Sequence, residues 1–192
     1  MVWFVPTMKQ DTIDPTAYQP LLAVIAKGES KGNYNAYFGH ATTNDVQFTN
    51  MTIAQVLSWQ DSFVSQGSPS SAVGKYQIIS PTLHGLVKQL GLNTNDKFDA
   101  SMQDRLAMAL IDRRGAKDFV KNTLTTEQFA ANLAQEWAAL PVLDGPKAGQ
   151  SYYAGDGLNA ARISDPEIRA AIADFGKLAR TPRAITYEST AQ

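Results

Sequence analysis

Apolar residues recur at helical spacing along most of the chain, and the stretches are separated by polar, glycine-rich segments. Leu22, Ile25, Ala26 and Glu29 follow an i, i+3, i+4, i+7 pattern and share one helical face. A carboxyl therefore lies on a stripe that turns to the core. The spacing predicts a first helix over about residues 15–28, with Pro15 in its first turn. Gly28 and Gly32 bracket Glu29 and are expected to loosen the helix there. Thr52 with Gln55 forms a capping box that opens a second helix, carrying Ile53, Val56, Leu57 and Phe63 and ending at Gly67. Ser80-Pro81 opens a third, with Ser80 as its cap, ending at Gly91. Asp99 or Ser101 caps a fourth that reaches about Arg114 and stops at Gly115. Residues 116–121 read as a helical turn. Thr125 with Gln128 opens a helix to about Leu140, with Phe129, Leu133, Glu136, Trp137 and Leu140 down one side and Pro141 as its stop. Ser164-Asp165-Pro166-Glu167 opens the last, to about Ala179.

Between the helices, Asn33–His40 reads as a loop or short strand, and Ala72–Ile79 as a strand or extended segment. The pattern thus predicts an α+β chain, predominantly α, with one short strand region. It places one domain over residues 15–180, an extended lead-in over 1–14 and a tail over 181–192.

Composition narrows the function classes. The residues are 44% hydrophobic and 18% charged, which suits a packed core rather than a disordered chain. A net charge of −1 argues against a nucleic-acid binder. There are no cysteines, so disulfides and thiolate chemistry are excluded. His40 and His84 show no metal spacing, and neither a metal nor a cofactor is expected. No apolar run approaches membrane-spanning length, so membrane insertion is not expected. The apolar start Met1–Pro6 is too short for a signal-peptide core.

Candidate chemistry begins with Glu29. A carboxyl held against apolar groups resists ionisation and can carry a proton at neutral pH. The competing reading is a helix-end glutamate turned to solvent. Tyr76, Trp137, Tyr152 and Tyr153 are candidates to stack on sugar rings, and Gln77, Gln150 and Asn35 to hydrogen-bond them. Each also has a purely structural reading, Trp137 above all because it falls on a helical stripe.

Taken in order, Glu29-Ser30, Gly74-Lys75-Tyr76-Gln77-Ile78, Gln103-Asp104-Arg105-Leu106-Ala107 leading to Arg113-Arg114-Gly115-Ala116, and Trp137-Ala138-Ala139-Leu140-Pro141 resemble the landmarks of phage lambda-type endolysins, members of the lysozyme-like superfamily. The resemblance runs from about residue 20 to about 178. It implies a lysozyme-like fold and a lytic transglycosylase that cuts the MurNAc–GlcNAc β-1,4 bond of peptidoglycan, leaving 1,6-anhydroMurNAc ends. Glu29 maps onto the catalytic acid/base. Tyr76 and Gln77 map onto the glycan cleft, and the loop after Trp137 onto its other wall. Ser30, Trp137, Gln150 and Tyr152 complete the expected substrate contacts. Residues 40–72 depart from the lambda pattern, and Glu136 has no counterpart role to transfer.

Two rival readings stand beside this one. A hydrolytic muramidase needs a second carboxylate, for which Asp45 and Asp61 are candidates. A glycan-binding module needs no proton donor at all. Glu136 is read as a structural partner for Arg105, Arg113 or Arg114. The expected partners are peptidoglycan glycan strands, with other virion or lysis proteins as further candidates. The expected setting is a phage product acting on the periplasmic cell wall, released through a pore or carried in the virion.

Overall fold

The computed structural model describes residues 12–181. Most of the expected lead-in, and the tail beyond Thr181, lie outside the described residues. Among the described residues the chain forms α1 (Gln19–Ser30), α2 (Ile53–Ser65), α3 (Ser80–Leu90), α4 (Ala100–Arg113), α5 (Ala116–Val120), α6 (Thr126–Glu136) and α7 (Asp165–Arg180). It is predominantly helical, and β-pairing is confined there to isolated bridges.

Most of the capping chemistry written in the sequence forms as expected, the Ser80 cap of α3 excepted. The Thr52 N–H donates to Gln55 Oε1 at 2.8 Å while the Gln55 N–H donates to Thr52 Oγ1 at 3.2 Å. Thr125 and Gln128 repeat the exchange at 2.9 and 3.2 Å, and Ser164 with Glu167 opens α7 in the same way. Asp99 caps α4 by accepting the Met102 N–H at 2.9 Å. Gly91 ends α3 in the left-handed region, where a side chain is disfavoured.

Four expectations are corrected. Pro15 opens a 3-10 turn, Pro15–Tyr18, and α1 starts at Gln19. α1 also runs past Gly28 to Ser30, capped by Lys31 at φ 54°. Gly28 is there for closeness rather than flexibility. A Cβ on it would stand 2.8 Å from Ala139 Cβ and 3.0 Å from Ile163 Cγ1. At α3, Ser80 is the first helical residue, and its N–H is taken by Ser71 Oγ at 2.9 Å from across the 71–79 loop. Residues 72–79 are not a strand. Val73 and Ile78 exchange backbone hydrogen bonds at 3.1 and 2.9 Å, closing a tight turn with Gly74 at φ 78° and Gln77 at φ 48°. Finally, α6 ends at Glu136, and Trp137 is extended. The chain leaves the helix because residues 137–139 are engaged elsewhere. The Trp137 indole N–H donates to the Tyr76 carbonyl at 3.1 Å, and the Ala139 carbonyl accepts the Arg162 N–H at 2.8 Å.

Packing places α1 against α7 and α4, with α5 and α6 closing around α7. Phe119, Phe129 and Phe175 stack with centroids 4.9–6.2 Å apart, and Tyr18 joins Phe175 at 5.4 Å. A second aromatic group, Tyr37, Phe48, Trp59 and Phe63, holds α2 under the 33–50 segment. Both belong to one contiguous apolar core. Burial of such side chains is the main favourable term in folding.

Gly28→Ala tests the close contact. Helix propensity alone would favour alanine by about 1 kcal/mol. Overlap with the immobile Ala139 Cβ is expected to outweigh it, for a net loss of about 1–2 kcal/mol, read by urea denaturation.

Candidate active site

The end of α1 opens onto a cleft of about 930 Å³. One side is formed by residues 27–31 and the 37–41 segment, another by the Gly74–Ile79 turn. The far wall carries Arg113 and Arg114 from the end of α4, residues 135–139, Tyr153 and residues 158–162.

Glu29 lies in this cleft, partly exposed, in the last turn of α1. Its Oε1 accepts the Ala139 N–H at 3.0 Å. Burial pushes its carboxyl up from the ordinary glutamate range, opposed by the Ala139 N–H and the positive charge of Arg162. The group is thus biased toward its protonated form while one oxygen stays fixed. Arg162 reaches the same end of α1, where its Nη1 lies 3.4 Å from the Gly28 carbonyl.

The carboxylates lining the cleft are Glu29 and Glu136. Glu136 is engaged. Arg114 Nε donates to its Oε2 at 2.7 Å, and Arg113 Nη2 reaches both of its oxygens at 3.1 Å. Lys27, Lys31, Arg113, Arg114 and Arg162 also line the cleft, which makes it cationic in a chain whose net charge is −1.

A network beneath the cleft fixes the Gly74–Gln77 turn. Asp104 accepts the Tyr76 hydroxyl at 2.6 Å and the Tyr34 hydroxyl at 2.9 Å, and burial together with Asp104 pushes the Tyr34 phenol up to about 12. Gln103 Oε1 accepts the Lys75 N–H at 2.8 Å. Gln60 Nε2 donates to the Ser71 and Ile78 carbonyls at 2.8 and 2.9 Å. The turn is therefore held by buried side chains from α2 and α4.

Comparison with known proteins decides the family at this point. Residues 19–163 match the endolysin family. The chain belongs to that family. No curated protein and no solved structure matches it. Endolysins are phage enzymes that degrade the peptidoglycan of the bacterial cell wall, and in this endolysin Glu29 lines the cleft.

The residues expected to bind substrate are sorted differently by the structure. Gln77 lines the endolysin cleft and is partly exposed. Tyr76 and Trp137 border it but are 1% and 2% exposed, so neither ring is free to stack on a sugar. Ser30 is fully buried and its hydroxyl donates to the Lys75 carbonyl at 2.7 Å, which leaves it no path to a ligand. Gln150 and Tyr152 are exposed but do not line the cleft. Asn35 does not line it either, and its Oδ1 serves Thr49 at 3.1 Å. Asp45 accepts the Tyr37 hydroxyl at 2.9 Å, Asp61 faces Ser80 at 3.4 Å, and neither lines the cleft. The aromatic groups partly open to it are Phe38 and Tyr153.

Arg162 and the Ala139 N–H were not foreseen. A backbone donor leaves no mark in a sequence, and Arg162 sits in a loop without periodicity. Among the described residues no cluster of three or more His, Asp or Glu could hold a metal ion, and no helix is long and apolar enough to cross a membrane.

The raised Glu29 carboxyl predicts a pH signature. A raised acid destabilises the fold once it must ionise. The cost is absent below the ordinary value of 4.5, grows as pH rises through the raised folded value, and is constant above it. Glu29→Gln keeps an oxygen for Ala139 without that cost. Thermal melts of the two proteins are expected to coincide below pH 4.5, and the variant is expected to be the more stable at neutral pH.

Proposed function

We propose that this endolysin is a lytic transglycosylase that cuts the MurNAc–GlcNAc β-1,4 bond with Glu29 as its acid and base, on a lysozyme-like single-domain scaffold. The observation that carries the reading is that, among the described residues, Glu29 is the one cleft carboxyl not held by an arginine pair. Glu29 has a raised affinity for its proton, and the other lining carboxylate, Glu136, is held by two arginines.

Protonated Glu29 gives its proton to the glycosidic oxygen as the bond from the MurNAc anomeric carbon breaks. The departing GlcNAc leaves with a free 4-hydroxyl. Positive charge at the anomeric carbon is stabilised by the sugar's own N-acetyl group. Glu29, now a carboxylate, accepts the proton of the MurNAc 6-hydroxyl while that oxygen bonds to the anomeric carbon. The product is a 1,6-anhydro ring, no water is consumed, and Glu29 ends protonated as it began. The Ala139 N–H and Arg162 stabilise the carboxylate stage, so the acid can release the proton it holds tightly. Gln77, Phe38 and Tyr153 are the side chains placed to meet the glycan.

A hydrolytic muramidase would use a second carboxylate to activate water or attack the sugar. Asp45 and Asp61 lie away from the cleft lining, which weighs against that route.

Mass spectrometry of muropeptides released from purified peptidoglycan tests the proposal. Ends lighter by one water than reducing MurNAc are expected, and their release is expected to fall by at least about 1,000-fold in Glu29→Gln. Reducing MurNAc ends would replace this reading with hydrolysis, and full activity in Glu29→Gln would remove Glu29 from the chemistry.

A further inference from the structure

The glycan backbone of peptidoglycan is built from amino sugars without net charge, yet the cleft is cationic. Part of that charge is carried by Arg113 and Arg114. These two guanidiniums share one carboxylate, Glu136, which leaves the group with a net charge of +1. The Glu136 side chain is 8% exposed and the Arg113 side chain 40%, so the carboxylate faces inward and the guanidinium faces the cleft. Arg113 commits only its Nη2 to Glu136, leaving Nη1 and Nε without a hydrogen-bonding partner. The pair at the end of α4 is thus anchored on one edge and open on the other. A guanidinium edge of this kind suits a carboxylate.

The position fits a branch of the substrate rather than the bond being cut. Glu136 ends α6, and Ala139, whose N–H holds Glu29, follows three residues later, so the backbone of Glu136 lies within about 11 Å of that of Ala139. Arg113 and Arg114 themselves make no contact with Glu29, whose positive neighbour is Arg162. In peptidoglycan the free carboxylates sit on the short peptide arms that branch from MurNAc.

We infer that the Arg113–Arg114–Glu136 group is a subsite for a carboxylate of the peptide arm, so that the endolysin prefers glycan strands whose arms carry free acids. This rests on the reading of the cleft as a peptidoglycan site. Glu136 holds the two guanidiniums in place and offsets part of their mutual repulsion. Arg113 supplies the open edge. The attraction is exposed to solvent and weakens with added salt.

The test compares two forms of one substrate: peptidoglycan strands with free arm carboxylates, and the same strands with those carboxylates converted to amides. Wild-type kcat/KM is expected to fall about tenfold on the amidated strands, and the gap is expected to shrink at high salt. In Arg113→Gln the ratio between the two substrates is expected to fall to about one, whatever the absolute rate. Arg113→Lys keeps the charge and is expected to retain most of the ratio. Equal wild-type rates on both strands would overturn the inference. So would an Arg113→Gln variant that slows on both substrates by the same factor, because that is the mark of a structural role. If Arg113→Gln does not fold, the wild-type ratio and its salt dependence still decide. The end group released is read in the same spectra. Anhydro ends at equal rates would overturn the subsite alone, whereas reducing ends would overturn the proposed mechanism alone.

Discussion

The structure depends on how closely the last turn of α1 approaches the segment after α6. The Ala139 N–H reaches Glu29 Oε1 at 3.0 Å only because residue 28 has no side chain to hold the two apart. The Ala139 carbonyl on the other side of the same residue accepts the N–H groups of Arg162 and Ile163 at 2.8 and 3.2 Å. One alanine therefore joins the end of α1, the exit of α6 and the approach to α7. The carboxyl held by this contact is buried enough for its pKa to be raised and is still open to the cleft. A charged group can be kept poised in this way only when its surroundings are fixed in advance.

Rigid support continues below the cleft. The Gly74–Gln77 turn has few backbone partners of its own, so buried side chains supply them. Gln103 and Asp104 from α4 and Ser30 from α1 end on this turn, and Gln60 from α2 holds its flanks at Ser71 and Ile78. A half-satisfied network of that kind would be costly in a low-dielectric interior. Here nearly all of its groups are paired, and Gln60 Oε1 is the exception among the buried side-chain atoms described. Tyr76 and Trp137 belong to this support. They shape the floor from beneath by bonding to Asp104 and to the Tyr76 carbonyl.

Charge divides the cleft into two regions. Near Glu29, a guanidinium from Arg162 faces a carboxyl whose burial raises its hold on a proton. At the other wall, two arginines and one glutamate form a fixed pair with an excess positive charge. In the proposed mechanism the first arrangement serves proton transfer, and in the inferred subsite the second serves affinity.

Local chemistry was legible in the sequence wherever a few neighbouring residues settle the outcome. The Thr52–Gln55, Thr125–Gln128 and Ser164–Glu167 boxes, the Asp99 cap and the Gly91 stop each satisfy backbone groups within one turn, and all form as the spacing predicts. Glu29 was legible as a candidate because its place on an apolar stripe is itself a local pattern. What the tertiary structure decided were the residues whose partners lie far along the chain. Ser30, Tyr76 and Trp137 read as ligands by type but turn inward, because Lys75, Asp104 and the Tyr76 carbonyl capture their polar atoms. Ala72–Ile79 reads as a strand or extended segment by composition but closes on itself, and among the described residues its pairing is limited to the Val73–Ile78 and Tyr37–Val73 bridges. Trp137 leaves the helix its periodicity predicts because its contact with Tyr76, and those of Ala139 with Glu29 and Arg162, outcompete four more helical residues. Helix caps are settled within a turn. The orientation of a side chain at a cleft is settled by whichever distant group reaches it first, and only the folded chain fixes that.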